Sequence, residues 1–86
     1  MSLIYSNHFL RQLKRRIKKN PQLKQKIRLR INLLLANENH PALRLHKLKG
    51  SRASELAISI EGNLRITFIR QDDNYILIDF ITHDEY

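Results

Sequence analysis

The sequence predicts a single α+β domain, residues 1–86, with a helical hairpin packed on a small antiparallel sheet in the order β-α-α-β-β-β. Apolar residues recur at helical spacing in the first half of the chain and alternate with polar residues in the second half. Consecutive strands linked by short turns are usually neighbours in a sheet. Eighty-six residues form one domain with a thin core, because a chain of this size buries only roughly 60–65% of its unfolded surface.

A short strand and two helices are predicted in the first half. Residues 3–5 can form the strand, and Ser6 or Asn7 can cap the first helix by accepting a hydrogen bond from a free backbone N–H. Proline forces the residue before it out of helical geometry, so Asn20 and Pro21 end this helix. The same pair is expected to begin the second helix, with Asn20 as cap and Pro21 at the first helical position.

The second helix carries apolar residues on more than one side. One face consists of Leu23, Ile27, Ile31, Leu34 and Leu35. Leu29 and Leu33 lie about 200° from Ile27 and Ile31 at helical spacing. We expect one side to meet the sheet and the other to meet the first helix or a partner protein.

Strands and turns fill the second half. Residues 46–50 read as a short extended piece, and residues 56–60 and 64–68 alternate apolar and polar side chains. Gly62 and Asn63 suit the hairpin turn between them, because both tolerate positive φ. Residues 75–81 are apolar at nearly every position, which predicts a strand covered on both faces.

The charge distribution is uneven. The net charge is +8, and residues 1–37 carry ten Lys and Arg and no acid, whereas the remainder carries six bases and eight acids. A block of this kind attracts phosphate backbones or acidic partners. The alternative is a solvated basic face without a dedicated partner.

Several classes of site are not expected. The chain has no cysteine, which excludes disulfides and thiolate zinc sites. Its four histidines lack zinc-ligand spacing and its two glycines form no phosphate loop, so we expect neither a metal nor a cofactor. No apolar run approaches the roughly 20 residues of a membrane span, and the N-terminus does not resemble a secretion signal. We therefore expect a cytoplasmic protein with no membrane partner.

Arg65 is the first candidate functional residue. It lies between apolar residues on a predicted strand, so its side chain must reach water or pair with a charge. It can pair with Glu55 or Asp79 across the sheet, or it can bind phosphate through the two parallel hydrogen bonds of its planar fork.

His83 directly follows the last predicted strand, where an imidazole could exchange a proton near neutral pH. Asp84 or Glu85 could orient it; the alternative is a polar surface terminus. Tyr86 could stack on a base, or it could be a terminal side chain without a fixed position. Further hydrogen-bond donors before a turn are supplied by His46, Lys47 and Lys49. The alternative is that these side chains only protect an edge strand from pairing with another chain.

These residue types suit metal-independent RNA cleavage, in which the RNA 2′-hydroxyl attacks the adjacent phosphate. The protein must accept a proton from that hydroxyl, neutralise the phosphate and protonate the departing 5′ oxygen.

Three segments resemble the RelE/ParE toxin superfamily, in particular its YafQ and RelE/StbE-type members. They are H-K-L-K-G at residues 46–50, L-R-I-T-F at residues 64–68 and I-T-H-D-E-Y at residues 81–86. The resemblance implies a type II toxin that cuts mRNA on the ribosome, without a cofactor. It also implies an acidic antitoxin as partner, contacts with ribosomal RNA, and operator DNA reached only through the antitoxin complex.

The resemblance also implies roles for individual residues. Arg65 would bind phosphate, His83 would take part in acid–base chemistry, and His46 and Tyr86 would complete the catalytic set. The predicted RNA- or phosphate-binding residues are Lys47, Lys49 and Arg52 near the turn, and Arg15, Lys18 and Lys19 on the first helix. The sequence departs from its relatives at Ala57, Ser59 and Asn63, where those relatives carry ionisable residues.

Two other functions fit parts of the sequence. A ParE-like inhibitor of DNA gyrase would share the fold and the basic charge, but that branch generally lacks the terminal histidine and tyrosine. A non-catalytic nucleic-acid-binding module would use the basic helices and show strongly salt-dependent binding without cleavage.

Overall fold

The computed structural model describes residues 1–82, which form two helices on one face of a five-stranded sheet. The elements are β1 (Ser2–Tyr5), α1 (Asn7–Lys19), α2 (Leu23–Ala36), β2 (His46–Lys47), β3 (Leu56–Glu61), β4 (Leu64–Gln71) and β5 (Asn74–Thr82). Short 3₁₀ turns span Pro41–Leu43 and Gly50–Arg52. The α+β class and the predicted order of elements are confirmed. No helix within residues 1–82 combines the length and apolarity that a bilayer span requires.

The strand order across the sheet is β1-β5-β4-β3-β2. The β2–β3, β3–β4 and β4–β5 pairs are antiparallel, but β1 runs parallel to β5. The sheet is therefore mixed, and the prediction of an antiparallel sheet is wrong for this one pair. Parallel neighbours need a long crossover, and the helices and strands between β1 and β5 supply it.

Ser6 joins the start of α1 to the sheet. Its hydroxyl accepts a hydrogen bond from Phe9 N at 3.0 Å, which confirms the predicted N-cap. The same hydroxyl donates to Ile78 O at 3.2 Å on β5. One side chain thus satisfies a free helical N–H and fixes α1 against the central strand.

The boundary between the helices lies where it was predicted, but α2 begins later. Asn20 follows the last residue of α1, and its carbonyl accepts from Leu23 N at 3.0 Å. Pro21 and Gln22 therefore form a tight turn, and α2 begins at Leu23. The prediction that Asn20 caps α2 is wrong, because Asn20 already serves as the C-cap of α1.

Alternation along β4 separates two sheet faces. Leu64, Ile66 and Phe68 pack towards the helices, in a core that includes buried residues of α1, α2, β3 and β5. Arg65 and Thr67 point to the opposite face, which we call the Arg65 face. A small separate cluster of Leu48, Ala57 and Ile81 is buried there. β5 contributes Phe80 to the main core and Ile81 to this second cluster, as its apolar run predicted.

The second side of α2 is only partly covered. Leu33 is half-buried and packs on the core, whereas Leu29 remains 55% exposed. α1 therefore does not cover Leu29, and of the two residues only Leu33 finds a packing site within residues 1–82.

Candidate active site

Arg65 is buried near the middle of the sheet, with 9% of its surface exposed. Its Nη1 donates to Gly62 O at 2.7 Å and to Leu64 O at 3.2 Å, so the guanidinium lies against the β3–β4 hairpin. Its Nε is buried and has no hydrogen-bond partner in the described part of the chain. The guanidinium is thus held in place by backbone carbonyls while one N–H remains unused.

No carboxylate within residues 1–82 compensates the charge of Arg65. The sequence predicted a possible pair with Glu55 or Asp79, but both acids bind Arg52 instead. Among residues 1–82, Arg65 forms no ion pair. A buried charge without a counter-charge is costly, and such costs concentrate at functional sites. An anion at this position would supply both the missing charge and an acceptor for Nε.

Strand register places several polar residues beside Arg65. His46, Ala57, Thr67 and Asp79 form one row across β2, β3, β4 and β5, because each is paired with the next. Arg65 lies in the adjacent row, between Ser59 and Ile81. Paired residues point to the same face, so both rows lie on the Arg65 face.

His46 occupies the β2 edge of this face. Its Nδ1 is 2.9 Å from Arg44 O, and a carbonyl can only accept, so Nδ1 carries the proton. In the neutral ring, Nε2 then carries the lone pair that a general base needs. His46 lies two strands away from Arg65 across the sheet and two residues away along the strand direction. The backbone positions of the two residues are therefore roughly 12 Å apart. To contact one phosphodiester, both side chains would have to reach into the space between these positions.

A charged network crosses the Arg65 face from Glu55, next to β3, to Asp79 on β5. Arg52 Nε binds Glu55 Oε2 at 3.0 Å, and Arg52 Nη2 binds Asp79 Oδ2 at 3.2 Å. His8 Nε2 donates to Asp79 Oδ1 at 2.9 Å. The hydrogen bond with Glu55 is the largest cause that raises the pKa of Arg52, followed by opposing desolvation and the contact with Asp79. The predicted phosphate role of Arg52 remains a prediction, since its guanidinium already binds two carboxylates.

The same network fixes a segment across the Arg65 face. Residues 48–55 connect β2 to β3, and we call them the cover segment. The two ends of this segment are joined by a hydrogen bond of 3.1 Å from Leu48 N to Glu55 O. Leu48 packs in the cluster with Ala57 and Ile81, while Arg52 reaches Asp79 on β5. The Arg65 face is therefore partly covered rather than an open cleft.

The predicted basic residues fall in different places. Arg15, Lys18 and Lys19 are exposed on α1, in the helical layer and so across the sheet from the Arg65 face. Lys47 and Lys49 are exposed beside His46 at the β2 edge, and Lys47 is paired with the core residue Leu56, so it points to the helical side. The structure does not bring these two groups together. Their binding roles remain predictions from the sequence.

Two of the predicted catalytic residues, His83 and Tyr86, lie outside the described residues, as do Asp84 and Glu85. Their roles remain predictions from the sequence.

The sequence analysis did not predict roles for His8 and Arg16. It also did not predict that Asp79 contacts His8 and Arg52. Asp79 gave a signal, because it is the one acid in an apolar run. His8 gave none, since its contact with Asp79 joins residues 71 positions apart. Arg16 was indistinguishable in sequence from its basic neighbours, yet its guanidinium carbon lies 5.4 Å from the centre of the Phe80 ring.

Comparison with known proteins identifies the fold. No protein-family model and no curated sequence matches the chain. Among solved structures, YafQ from E. coli strain BL21(DE3) is 17% identical, with a TM-score of 0.80 over 98% of this chain and 94% of that one. A YoeB/ParE toxin from Agrobacterium tumefaciens is 15% identical, with a TM-score of 0.78 over 96% and 99%.

A third similar structure is the E. coli DinJ-YafQ toxin-antitoxin complex, 19% identical, with a TM-score of 0.77 over 98% of this chain and 93% of that one. The similarities extend over nearly the whole of each chain. They confirm the resemblance predicted from the sequence at the level of the fold: the chain has the fold of the RelE/ParE toxins.

Proposed function

We propose that this protein is the toxin of a type II toxin-antitoxin system and that it cuts mRNA on the ribosome, in the cytoplasm. The observation that carries the proposal is the buried guanidinium of Arg65, which has no counter-charge among residues 1–82 and retains an unused Nε–H. The fold shared with YafQ and with YoeB/ParE toxins supports the toxin role.

The proposed reaction needs no metal. Arg65 would bind a phosphate oxygen through its fork and stabilise the charge that develops there. His46 Nε2 would accept the proton of the 2′-hydroxyl, because Nδ1 is committed to Arg44 O. His83 would protonate the departing 5′ oxygen, and Tyr86 would stack on a base. The products of this reaction are a 2′,3′-cyclic phosphate and a 5′-hydroxyl.

Two partners follow from the proposal. The basic residues of α1, including Arg15 and Lys18, would contact ribosomal RNA through its phosphates. An acidic antitoxin would neutralise a chain of net charge +8, and the similarity to YafQ in its complex with DinJ supports a partner of this kind.

One observation favours the non-catalytic alternative. The cover segment lies over the Arg65 face, and its Arg52 already binds Asp79 and Glu55. A protein that only binds nucleic acid through its basic helices has no need of an accessible Arg65. This alternative predicts RNA binding without any new RNA ends.

The test is to induce the protein in growing cells and to map transcript 5′ ends. We expect growth arrest and new ends within codons. His83→Ala and Arg65→Lys should abolish the new ends, whereas Arg70→Lys, which alters an exposed arginine on the same strand as Arg65, should not. Growth arrest without new ends would overturn the nuclease. If DNA supercoiling changed in those cells, gyrase inhibition would replace it.

A further inference from the structure

A cavity of about 390 Å³ lies between the C-terminal half of α1 and the β3–β4 hairpin. We call it the hairpin cleft, and its polar lining includes Arg16, Lys19, Asn20, Asn63 and Thr82. It lies on the helical side of the sheet, at the end of β5, and belongs to none of the sites assigned above.

The part of the hairpin cleft formed by residues 1–82 is positively charged. Glu61 is the one acid in this part of the lining, and it is bound by Lys26, with Nζ and Oε1 2.8 Å apart. Arg16 and Lys19 form no ion pair within residues 1–82. Both also lie in the last turn of α1, where cations are favoured by the helix dipole, so their charges are retained without a carboxylate.

Arg16 is arranged as an anion ligand. Its guanidinium carbon lies 5.4 Å from the centre of the Phe80 ring, a cation–π contact that helps to hold the group in place. Its Nε is buried and has no partner in the described part of the chain. An arginine stacked in this way is held ready for a planar, two-point contact with phosphate.

The hairpin cleft adjoins the candidate active site at the end of the β3–β4 hairpin. Gly62 lines the cleft, and its carbonyl accepts the hydrogen bond from Arg65 Nη1. Thr82, also in the lining, precedes His83 in the sequence. A strand that crosses the hairpin can therefore meet Arg65 with one phosphate and Arg16 with another.

We propose that the hairpin cleft binds a phosphate of single-stranded RNA next to the one held by Arg65, with Arg16 and Lys19 as its ligands and the Asn20 and Asn63 amides at its rim. The inference rests on the proposed function for the choice of RNA as ligand. It goes further by assigning a second contact that fixes the position of the strand. An acidic protein segment is the competing occupant.

Binding of a 12-nucleotide RNA whose 2′-hydroxyls are all methylated tests this, because that RNA cannot be cleaved through its 2′-oxygens. Fluorescence anisotropy of the full chain is measured at several salt concentrations. Arg16→Gln should weaken binding about fivefold at 0.1 M salt and reduce the salt slope by about 0.7, the value for one lost phosphate contact on a single strand. Arg70→Gln removes an exposed arginine charge from β4, outside the cleft, and should change the slope by less than half as much.

A second variant guards against misfolding, since Arg16 packs on a core ring. Asn63→Asp adds a negative charge at the cleft without touching the core and should also weaken binding severalfold. Gln71→Glu adds the same charge at the far end of β4, about 25 Å away, and should have little effect. Equal effects of each variant and its control would overturn the proposal.

Three further outcomes separate the alternatives. If Arg16→Gln and Asn63→Asp weaken binding of poly-glutamate as much as binding of RNA, the cleft recognises negative charge in general and the assignment to RNA fails. If the chain binds RNA through the cleft but produces no new RNA ends in cells, the proposed role of the cleft is supported and the proposed nuclease function is wrong. If RNA is cut but the cleft variants bind RNA as tightly as the parent protein, the proposed nuclease function is supported and the proposed role of the cleft is wrong.

Discussion

Arg52 and Asp79 lie 27 residues apart in the chain, and their side chains form an ion pair with Nη2 and Oδ2 3.2 Å apart. The pair joins the cover segment to β5 across the face that carries Arg65. Because Asp79 also binds His8 at the start of α1, a single carboxylate connects three parts of the fold. The ion pair therefore holds the cover segment over the Arg65 face.

Asp79→Asn should loosen the cover segment. The change removes the charge that holds Arg52 and His8, and we expect it to lower the free energy of unfolding by about 1–2 kcal/mol. Trypsin should cut after Lys49 or Arg52 faster than in the parent protein, as followed by mass spectrometry under native conditions. Asp73→Asn, in the exposed β4–β5 turn, is the control. Equal rates of cleavage in all three proteins would show that the ion pair does not hold the segment.

Arg65→Met should separate stability from activity. The substitution keeps most of the side-chain volume and removes a buried charge that lacks a counter-charge among residues 1–82, so the free energy of unfolding should stay within about 1 kcal/mol of the parent value or rise. RNA cleavage should be lost. Urea denaturation and transcript-end mapping on the same variant check this. A loss of stability above about 2 kcal/mol would mean that Arg65 is mainly a structural residue.

Ser6→Ala should destabilise the fold through two lost hydrogen bonds, one from Phe9 N and one to Ile78 O. We expect a loss of about 1–2 kcal/mol, since an N-cap alone contributes about 1 kcal/mol. For a domain of this size, that corresponds to a fall in Tm of roughly 4–16 °C. Asn7→Ala, at the adjacent position, serves as control and should change Tm by no more than a few degrees. Matching shifts in the two variants would contradict the cap.

Tyr75 should titrate later than an ordinary tyrosine. Burial raises its pKa above 10.0, and the neighbouring Glu38 carboxylate adds to the rise through its charge and a hydrogen bond at 3.3 Å. The folded state thus holds the phenol proton more tightly than the unfolded chain. The resulting stabilisation is complete below pH 10 and is lost as the pH rises through the folded-state pKa. Ultraviolet titration should detect this late transition, and Tyr75→Phe should remove it. If the transition persists in that variant, the assignment is wrong.

Local patterns in the sequence were sufficient for most of the fold. Alternation along β4 correctly assigned Arg65 to the face opposite the core, and proline correctly marked the end of α1. The parallel pairing of β1 with β5 could not be predicted, because pairing between distant strands leaves no local periodicity. The late start of α2 was missed because a tight turn and a first helical turn look alike in sequence.

The candidate site was less predictable than the fold. The residue types were found, but their partners were not: the two acids expected beside Arg65 bind Arg52 instead. Those contacts depend on how the cover segment folds over the sheet, which no short-range pattern specifies. Arg16 differs from its basic neighbours only through its position over Phe80.

The chemistry of the RNA ends tests the central claim most directly. The purified protein is incubated with ribosomes translating a defined mRNA, and the new 5′ ends are analysed before and after treatment with polynucleotide kinase. Attack by the 2′-hydroxyl leaves 5′-hydroxyl ends, which the kinase can label directly. We expect such ends on RNA incubated with the parent protein and none on RNA incubated with the Arg65→Met variant. The absence of new ends, or 5′-phosphate ends that resist direct labelling, would contradict the account.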